Sequence, residues 1–350
     1  SNGVRVVVKP TTFKQDEILF YAFSQGGRSL VATADLPSAA LATDVVELGG
    51  LADMNATDLQ KALTGKRVSL SPSISAYSEG VNGSSTVKDL ETLLQLNYLY
   101  FTAPRRDEES YQTLMSILDS QLANRDKNPK VAWSDSVQMM ASNYSDRTLI
   151  VNKELLSKAS LDKALEVYKA RFANPADFTF FFVGNVDPAD PAFQTMVCTW
   201  LGGLKANKKL EKAADDKVRV AMGIQKNYFT RQMETKTASN RIQYTSYDMP
   251  YTLANDLNME MIGRILSTRY LESIREREGG SYGVGCAGWM NRHPVPYAQL
   301  IMQFDTDPEK QEKLMNIIHE EVKTIIENGP LAKDLQKEKE SMLKDFEEDL

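Results

Sequence analysis

A polar, lysine-rich stretch from Gly202 to Asp216 divides this 350-residue chain into two segments with the same order of elements. Lys205, Lys208, Lys209 and Lys212 alternate there with Glu211, Asp215 and Asp216. Such a mixed-charge run buries nothing and reads as a solvated linker. On each side the pattern runs from strands through helices and back to strands. The length suits about two domains. With 42% hydrophobic and 25% charged residues, each can build a core without disulfide support. The expected division is a first domain over 1–203, a linker over 204–217 and a second domain over 218–350.

Periodicity fills in the elements. Val4 to Val8 and Glu17 to Gln25 read as strands, the second ending at Gly26-Gly27. Ala39 to Leu48 reads as a helix stopped by Gly49-Gly50, and Asn55 to Leu63 as a short helix capped by Asn55 or Thr57. Arg67 to Tyr77 alternates as a strand, and Glu79 to Ser85, with its two glycines, reads as a hairpin tip. Helices are expected over Val87–Phe101, Asp107–Leu122, Lys130–Asn143, Ser160–Phe172 and Ala192–Leu201. Between the last two, Phe178 to Val183 is the strongest strand in the chain. Beyond the linker, strands are expected near Val218–Ile224, Asn227–Thr230 and Asn240–Asp248. A long helix should run from Leu253 to Arg277, with strands at Tyr282–Trp289 and Ala298–Asp305. A helix from Pro308 to Asn328 is stopped by Gly329, and Pro330 starts the last one. Strand meanders with helices collected in runs imply an α+β fold: antiparallel-rich sheets with helices packed on one face.

Most chemistries are missing from this sequence. A net charge of -6 with no basic stripe speaks against a nucleic-acid partner. No apolar run approaches the ~20 residues of a membrane span. Cys198 and Cys286 are too few for a disulfide framework and could be two buried thiols or one bridge. Catalytic zinc needs three protein ligands, two of them commonly at helical spacing. His293 and His319 stand far apart with no histidine partner, so the chain is expected to bind no zinc of its own. Ser281 has no nearby base, and the spacing of Gly280, Gly283 and Gly285 fits no phosphate loop. What remains is Arg275, seven residues before Tyr282. A forked guanidinium and a phenol at a helix end can hold a carbonyl or an oxyanion. Gly279 and Gly280 allow the sharp turn between them. Spacing by itself also describes a surface arginine and a half-buried strand tyrosine, and on spacing alone that plainer description has the advantage.

A resemblance changes the balance. Leu266-Ser-Thr-Arg-Tyr-Leu-Glu-Ser-Ile-Arg275-Glu-Arg-Glu-Gly-Gly-Ser-Tyr282-Gly-Val resembles the late motif of the M16 (pitrilysin/insulinase-like) zinc peptidases. Phe181-Phe-Val-Gly-Asn-Val-Asp187-Pro, with Trp200-Leu-Gly-Gly203, is similar to that family's strand and turn in order and distance. The resemblance covers essentially the whole chain. It implies two homologous M16-type domains forming one half of a clamshell that closes around a peptide. In that family the first half carries a His-x-x-Glu-His zinc helix and the second half is degenerate. This chain looks like the second half. Asp44-Val-Val-Glu47-Leu48 stands where the zinc motif would be, keeping only the glutamate, and no glutamate around Ser120 to Lys127 supplies a third ligand. The resemblance therefore implies zinc in the full-length protein but no metal ligand here. It makes Arg275 and Tyr282 the catalytic residues of this chain, orienting the substrate backbone and stabilising the tetrahedral intermediate. Its implied partners are a peptide substrate and the N-terminal half. Glycines 283 and 285 could admit a substrate strand at the sheet edge. A periplasmic or cell-envelope location is a family-level expectation only. The alternatives are a non-catalytic scaffold subunit of the same fold and an unrelated binding module. Ser1-Asn2 resembles a tag scar, and Leu331 to Leu350 stops inside a charged helical pattern, so the chain reads as a piece of a longer protein, with its second domain truncated.

Overall fold

The chain divides into two compact units, one of Ser1–Lys127 with Tyr144–Val218, the other of Asn128–Asn143 with Arg219–Leu350. The structure is a computed structural model. It describes residues 2–207, 210–276 and 283–348; the side chains of Asp126, Arg275, Glu276 and Glu348 also lie outside the description. In chain order the elements are β1 (Arg5–Pro10), β2 (Ile18–Gln25), α1 (Leu36–Ala39), α2 (Ala42–Gly49), α3 (Ala56–Ala62), β3 (Val68–Ile74), β4 (Ser78–Ser85), α4 (Leu90–Thr102) and α5 (Glu108–Leu122). Then come α6 (Pro129–Ala141), α7 (Lys153–Ser157), α8 (Leu161–Arg171), β5 (Thr179–Gly184) and α9 (Pro191–Trp200). The rest are β6 (Ala238–Ser246), α10 (Leu253–Tyr270), β7 (Gly285–Asn291), β8 (Tyr297–Thr306), α11 (Gln311–Asn328) and α12 (Ala332–Glu348).

In the first unit the apolar run at Phe178 becomes β5, inside a five-stranded sheet of order β1-β5-β2-β4-β3. Only the β1–β5 pair is parallel. Phe20, Phe180 and Phe182 point to one face and are fully buried. Tyr168 and Phe172 from the α8 end join them, their rings stacked 4.5 Å apart. Helix starts follow cap chemistry: the side chains of Asn55, Asp107 and Ser160 accept from the N–H groups of Asp58, Ser110 and Lys163.

Glu79 to Ser85 is a strand, not a hairpin tip. The turn lies earlier, where Ser75 N donates to Ser78 O at 2.7 Å. The glycines that suggested a turn serve close backbone approach instead. A Cβ at Gly83 would stand 2.0 Å from the Ser69 carbonyl oxygen, so only glycine lets β3 and β4 meet there.

Residues 205–218 hold no helix or strand among those described, yet they are tied to the first unit. Arg171 Nη1 pairs with Glu211 Oε2 at 2.9 Å, and Ala214 N donates to Ser29 Oγ at 2.9 Å. The Tyr77 hydroxyl donates to Asp216 at 2.8 Å. Arg147, nearly buried, reaches Val31 O, Thr33 Oγ1 and Arg28 O and lies 3.6 Å from Asp216.

The second unit carries a three-stranded antiparallel sheet, β6-β8-β7, with Ile242, Leu300, Met302 and Phe304 packed against Leu266, Tyr270, Leu314 and Ile318 of α10 and α11. The strands expected at Val218–Ile224 and Asn227–Thr230 are absent: Val218–Ile224 has the alternation of a strand, but no strand among the described residues pairs with it. Both cysteines are free thiols. Cys198 is exposed rather than buried, and burial pushes the Cys286 thiol up to about 12.

Candidate functional site

The segment holding Arg275 and Tyr282 is bracketed by α10 and β7, and these two elements are locked together. Gly263 and Gly288 remove the side chains that would separate them. A Cβ at Gly288 would lie 2.1 Å from Met259 O, and one at Gly263 would lie 2.4 Å from Gly288 N. Hydrogen bonds fix the register along the contact. Met290 N donates to Asp256 Oδ1 at 2.8 Å, Cys286 N donates to Ser267 Oγ at 3.1 Å, and Ser267 Oγ donates to Cys286 O at 2.9 Å.

Helix α10 does not run on as one regular helix to Arg277, as its sequence suggests. After Tyr270 it changes to a π-helical turn over Leu271–Glu276. One extra residue per turn rotates every side chain beyond it, and such turns recur at functional sites. Buried packing holds the turn: Ile274 is fully enclosed, and Ser273 Oγ donates to Arg269 O at 2.9 Å. The Tyr270 ring is buried, its hydroxyl donates to Ile318 O at 3.2 Å, and desolvation drives its pKa well up. Arg269 pairs with Glu321 at 2.6 Å and lies 3.7 Å from Asp334, tying α10 to α11 and α12. Arg275 has its backbone in the π-helical turn, while its side chain and all of Tyr282 lie outside the described residues. The chain is described again from Gly283, with Val284 buried, and enters β7 at Gly285.

The second place marked by the sequence is α2. Val45 and Val46 face the core. Glu47 is half-buried and Asp44 exposed, and desolvation raises both carboxyls. The Ser71 hydroxyl donates to Glu47, and the Asp44 charge raises Glu47 further. Leu48 is exposed. Two carboxylates without an imidazole make a poor zinc site. Among the described residues no group of three or more His, Cys, Asp and Glu side chains is placed to hold a metal ion. His319 is engaged elsewhere, its Nδ1 2.8 Å from the Tyr244 hydroxyl. The sequence did not show the α10–β7 lock or the π-helical turn; paired glycines 25 positions apart were its only signal.

The described residues form an antiparallel-rich α+β chain whose late helix is pinned to the strand that follows it. Residues 158–342 match the peptidase M16 inactive domain, more than half of the chain, and the chain belongs to that family. A zinc protease PQQL-like protein of Arabidopsis thaliana is 24% identical over 355 residues, covering 96% of this chain and 34% of that protein. The chain spans about a third of the length of the curated relatives it matches. The periplasmic protease PqqL from Escherichia coli superposes with a TM-score of 0.85 at 18% identity, over 99% of this chain and 38% of that one. The first half of the same E. coli protein superposes with a TM-score of 0.67 at 14% identity, over 98% of this chain and 75% of that one. The fold of this chain thus recurs in that first half.

Proposed function

We propose that this chain is the C-terminal half of a zinc metalloendopeptidase, inactive alone, which cleaves peptides in a clamshell chamber completed by an N-terminal half that holds the zinc. The observation that supports this reading is the pinned α10–β7 pair with its π-helical turn, the described elements on either side of the segment that holds Arg275 and Tyr282. A donor that must meet a developing oxyanion gains from being fixed before the reaction. In this reading the Tyr282 hydroxyl and the Arg275 guanidinium donate to the scissile carbonyl oxygen, more strongly as it becomes an oxyanion. The residues of α2 do not fit zinc, so no step runs through a metal on this chain. The Arabidopsis and E. coli proteins are named as proteases, which supports the reaction class. The E. coli likeness also motivates a periplasmic location, which cell fractionation checks.

Removing one such donor typically costs ~3 kcal/mol of transition-state stabilisation. With the N-terminal half present, Tyr282→Phe should lower turnover about a hundredfold and leave zinc content unchanged. Wild-type turnover in that variant removes the assigned role and leaves the scaffold subunit as the reading.

A further inference from the structure

Helix α12 meets α10 mainly through polar side chains. Among its described residues only Glu338 and Met342 are buried. Three polar contacts run along the pair. Arg264 Nη1 donates to Asp345 Oδ2 at 2.7 Å, Thr268 Oγ1 donates to Glu338 Oε1 at 3.2 Å, and Arg269 Nη1 lies 3.7 Å from Asp334 Oδ2. They differ in setting. The Arg264 side chain is 31% exposed and that of Asp345 50%, so water and salt screen the pair. Arg269 is 19% exposed, with Glu321 at 16% and Asp334 at 14%. Its Nε donates to Glu321 Oε2 at 2.6 Å, and its Nη2 lies 2.6 Å from the same oxygen. One guanidinium thus joins three helices: α10, α11 and α12.

A nearly buried ion pair adds little stability over apolar residues of the same volume, because desolvation offsets the attraction. What it adds is direction, since the donors of a guanidinium form a fixed planar fork. The place of the cluster matches that use. Arg269 precedes Tyr270, where the α-helix ends and the π-helical turn of Leu271–Glu276 begins. Its carbonyl accepts from the buried Ser273 hydroxyl at 2.9 Å. The residue is therefore held from both sides, its side chain by α11 and α12 and its backbone by the turn. The next residue adds a second pin, the Tyr270 hydroxyl donating to Ile318 O of α11 at 3.2 Å. Consecutive residues project about 100° apart around a helix, so two of them fastened together oppose rotation of α10 about its axis.

We infer that Arg269 is a positioning residue: it sets the rotation at which α10 passes into the π-helical turn, and so the direction in which the chain continues through Arg275. It touches no substrate and acts through the segment that follows it. The inference rests on the peptidase reading for its purpose, because that direction matters to the reaction only if Arg275 and Tyr282 meet a carbonyl. A misplacement of about 1 Å at such donors costs up to about a hundredfold in rate. The structural effect is measured on this chain alone and does not depend on that reading.

Hydrogen exchange followed by mass spectrometry reads the structural effect. Arg269→Met removes the fork and should speed exchange about tenfold over 271–276 while β6 and β8 stay as they are. Arg264→Met breaks the screened pair to the same α12 and should leave 271–276 unchanged. Arg269→Lys keeps the charge but loses the fork and should fall between wild type and Arg269→Met. The effect on the reaction is read with the zinc-bearing N-terminal half present. Arg269→Met should lower kcat about tenfold with KM and zinc content unchanged, and Arg269→Lys should recover part of the loss. If Arg269→Met does not fold, the lysine variant carries both measurements. Wild-type exchange over 271–276, an equal rise throughout the second unit, or an effect of Arg264→Met as large as that of Arg269→Met would overturn the inference. So would a wild-type kcat in an Arg269 variant whose 271–276 exchange has risen while Tyr282→Phe lowers turnover. Wild-type turnover in Tyr282→Phe with the exchange result intact strikes the catalytic reading instead, so the two failures are distinguishable.

Discussion

The two sheets of this molecule share a helix-covered inner face and differ on the outer one. In the first unit the outer face is apolar over three strands. In the second, polar side chains of β6 lace the outer face beside Ile301 and Trp289, which the register puts on the same side. Arg241 donates to Gln243 at 3.1 Å, Gln243 to Thr245 at 3.2 Å, and Gln299 to Thr245 at 3.3 Å. Side chains that satisfy one another have little to offer a partner, while uncovered aromatic rings gain free energy when something covers them. The same layering thus leaves an exposed apolar face in one unit. In the other it yields the pinned α10–β7 pair.

The largest effects should come from the inner faces. Phe180 is fully buried among other aromatic rings, so Phe180→Ala should destabilise the first unit by about 3–5 kcal/mol in urea unfolding. A smaller loss would mean that the sheet is not the centre of that core. Next is the α10–β7 lock. Gly288→Ala places a methyl against the Met259 carbonyl, and a loss of about 1–3 kcal/mol in the second unit should follow. Hydrogen exchange should accelerate in β7 and α10 but not in β5.

A third effect depends on pH. Burial raises the Glu79 carboxyl above the ordinary range, opposed by hydrogen bonds from Gly27 N–H and Ser24 and by the Arg171 charge. A raised pKa means the folded chain binds this proton more tightly than the unfolded chain does. The resulting stability is complete below the ordinary glutamate pKa and is lost as pH rises through the raised value. Glu79→Gln should therefore gain in Tm relative to wild type as pH is taken from about 4 to 7. A constant difference across that window would contradict the burial effect. The smallest effect belongs to the outer face: Phe23→Ser should change stability by only about 1 kcal/mol or less. A loss as large as that of Phe180→Ala would show that the patch is already covered.

Much of the fold was legible because it rests on local chemistry. Asn55 caps α3, Gly329 ends α11 with a positive φ of 71°, and the Phe178 run forms β5. Strand β4 was not legible. Its glycines and serines have poor strand propensity, and the reason for them is a neighbouring backbone that sequence does not display. The alternation at Val218–Ile224 misled for the converse reason, since a period of two describes a strand only when another strand is there to pair with it. At the candidate site, Arg275 and Tyr282 could be named only through the motif around them. The Gly263–Gly288 contact is a long-range fact about α10 and β7. The apolar outer face was hidden in β2, where inward and outward residues alike are apolar and the run reads as one weak strand.

The central claim is that this chain completes a peptidase whose zinc lies in another half. The most direct measurement is peptide cleavage by the zinc-bearing N-terminal half, by this chain, and by the two mixed. Neither should cleave alone, and mixing should restore turnover in proportion to complex formed. Full turnover by the N-terminal half without this chain, or none after a stable complex has formed, would contradict it.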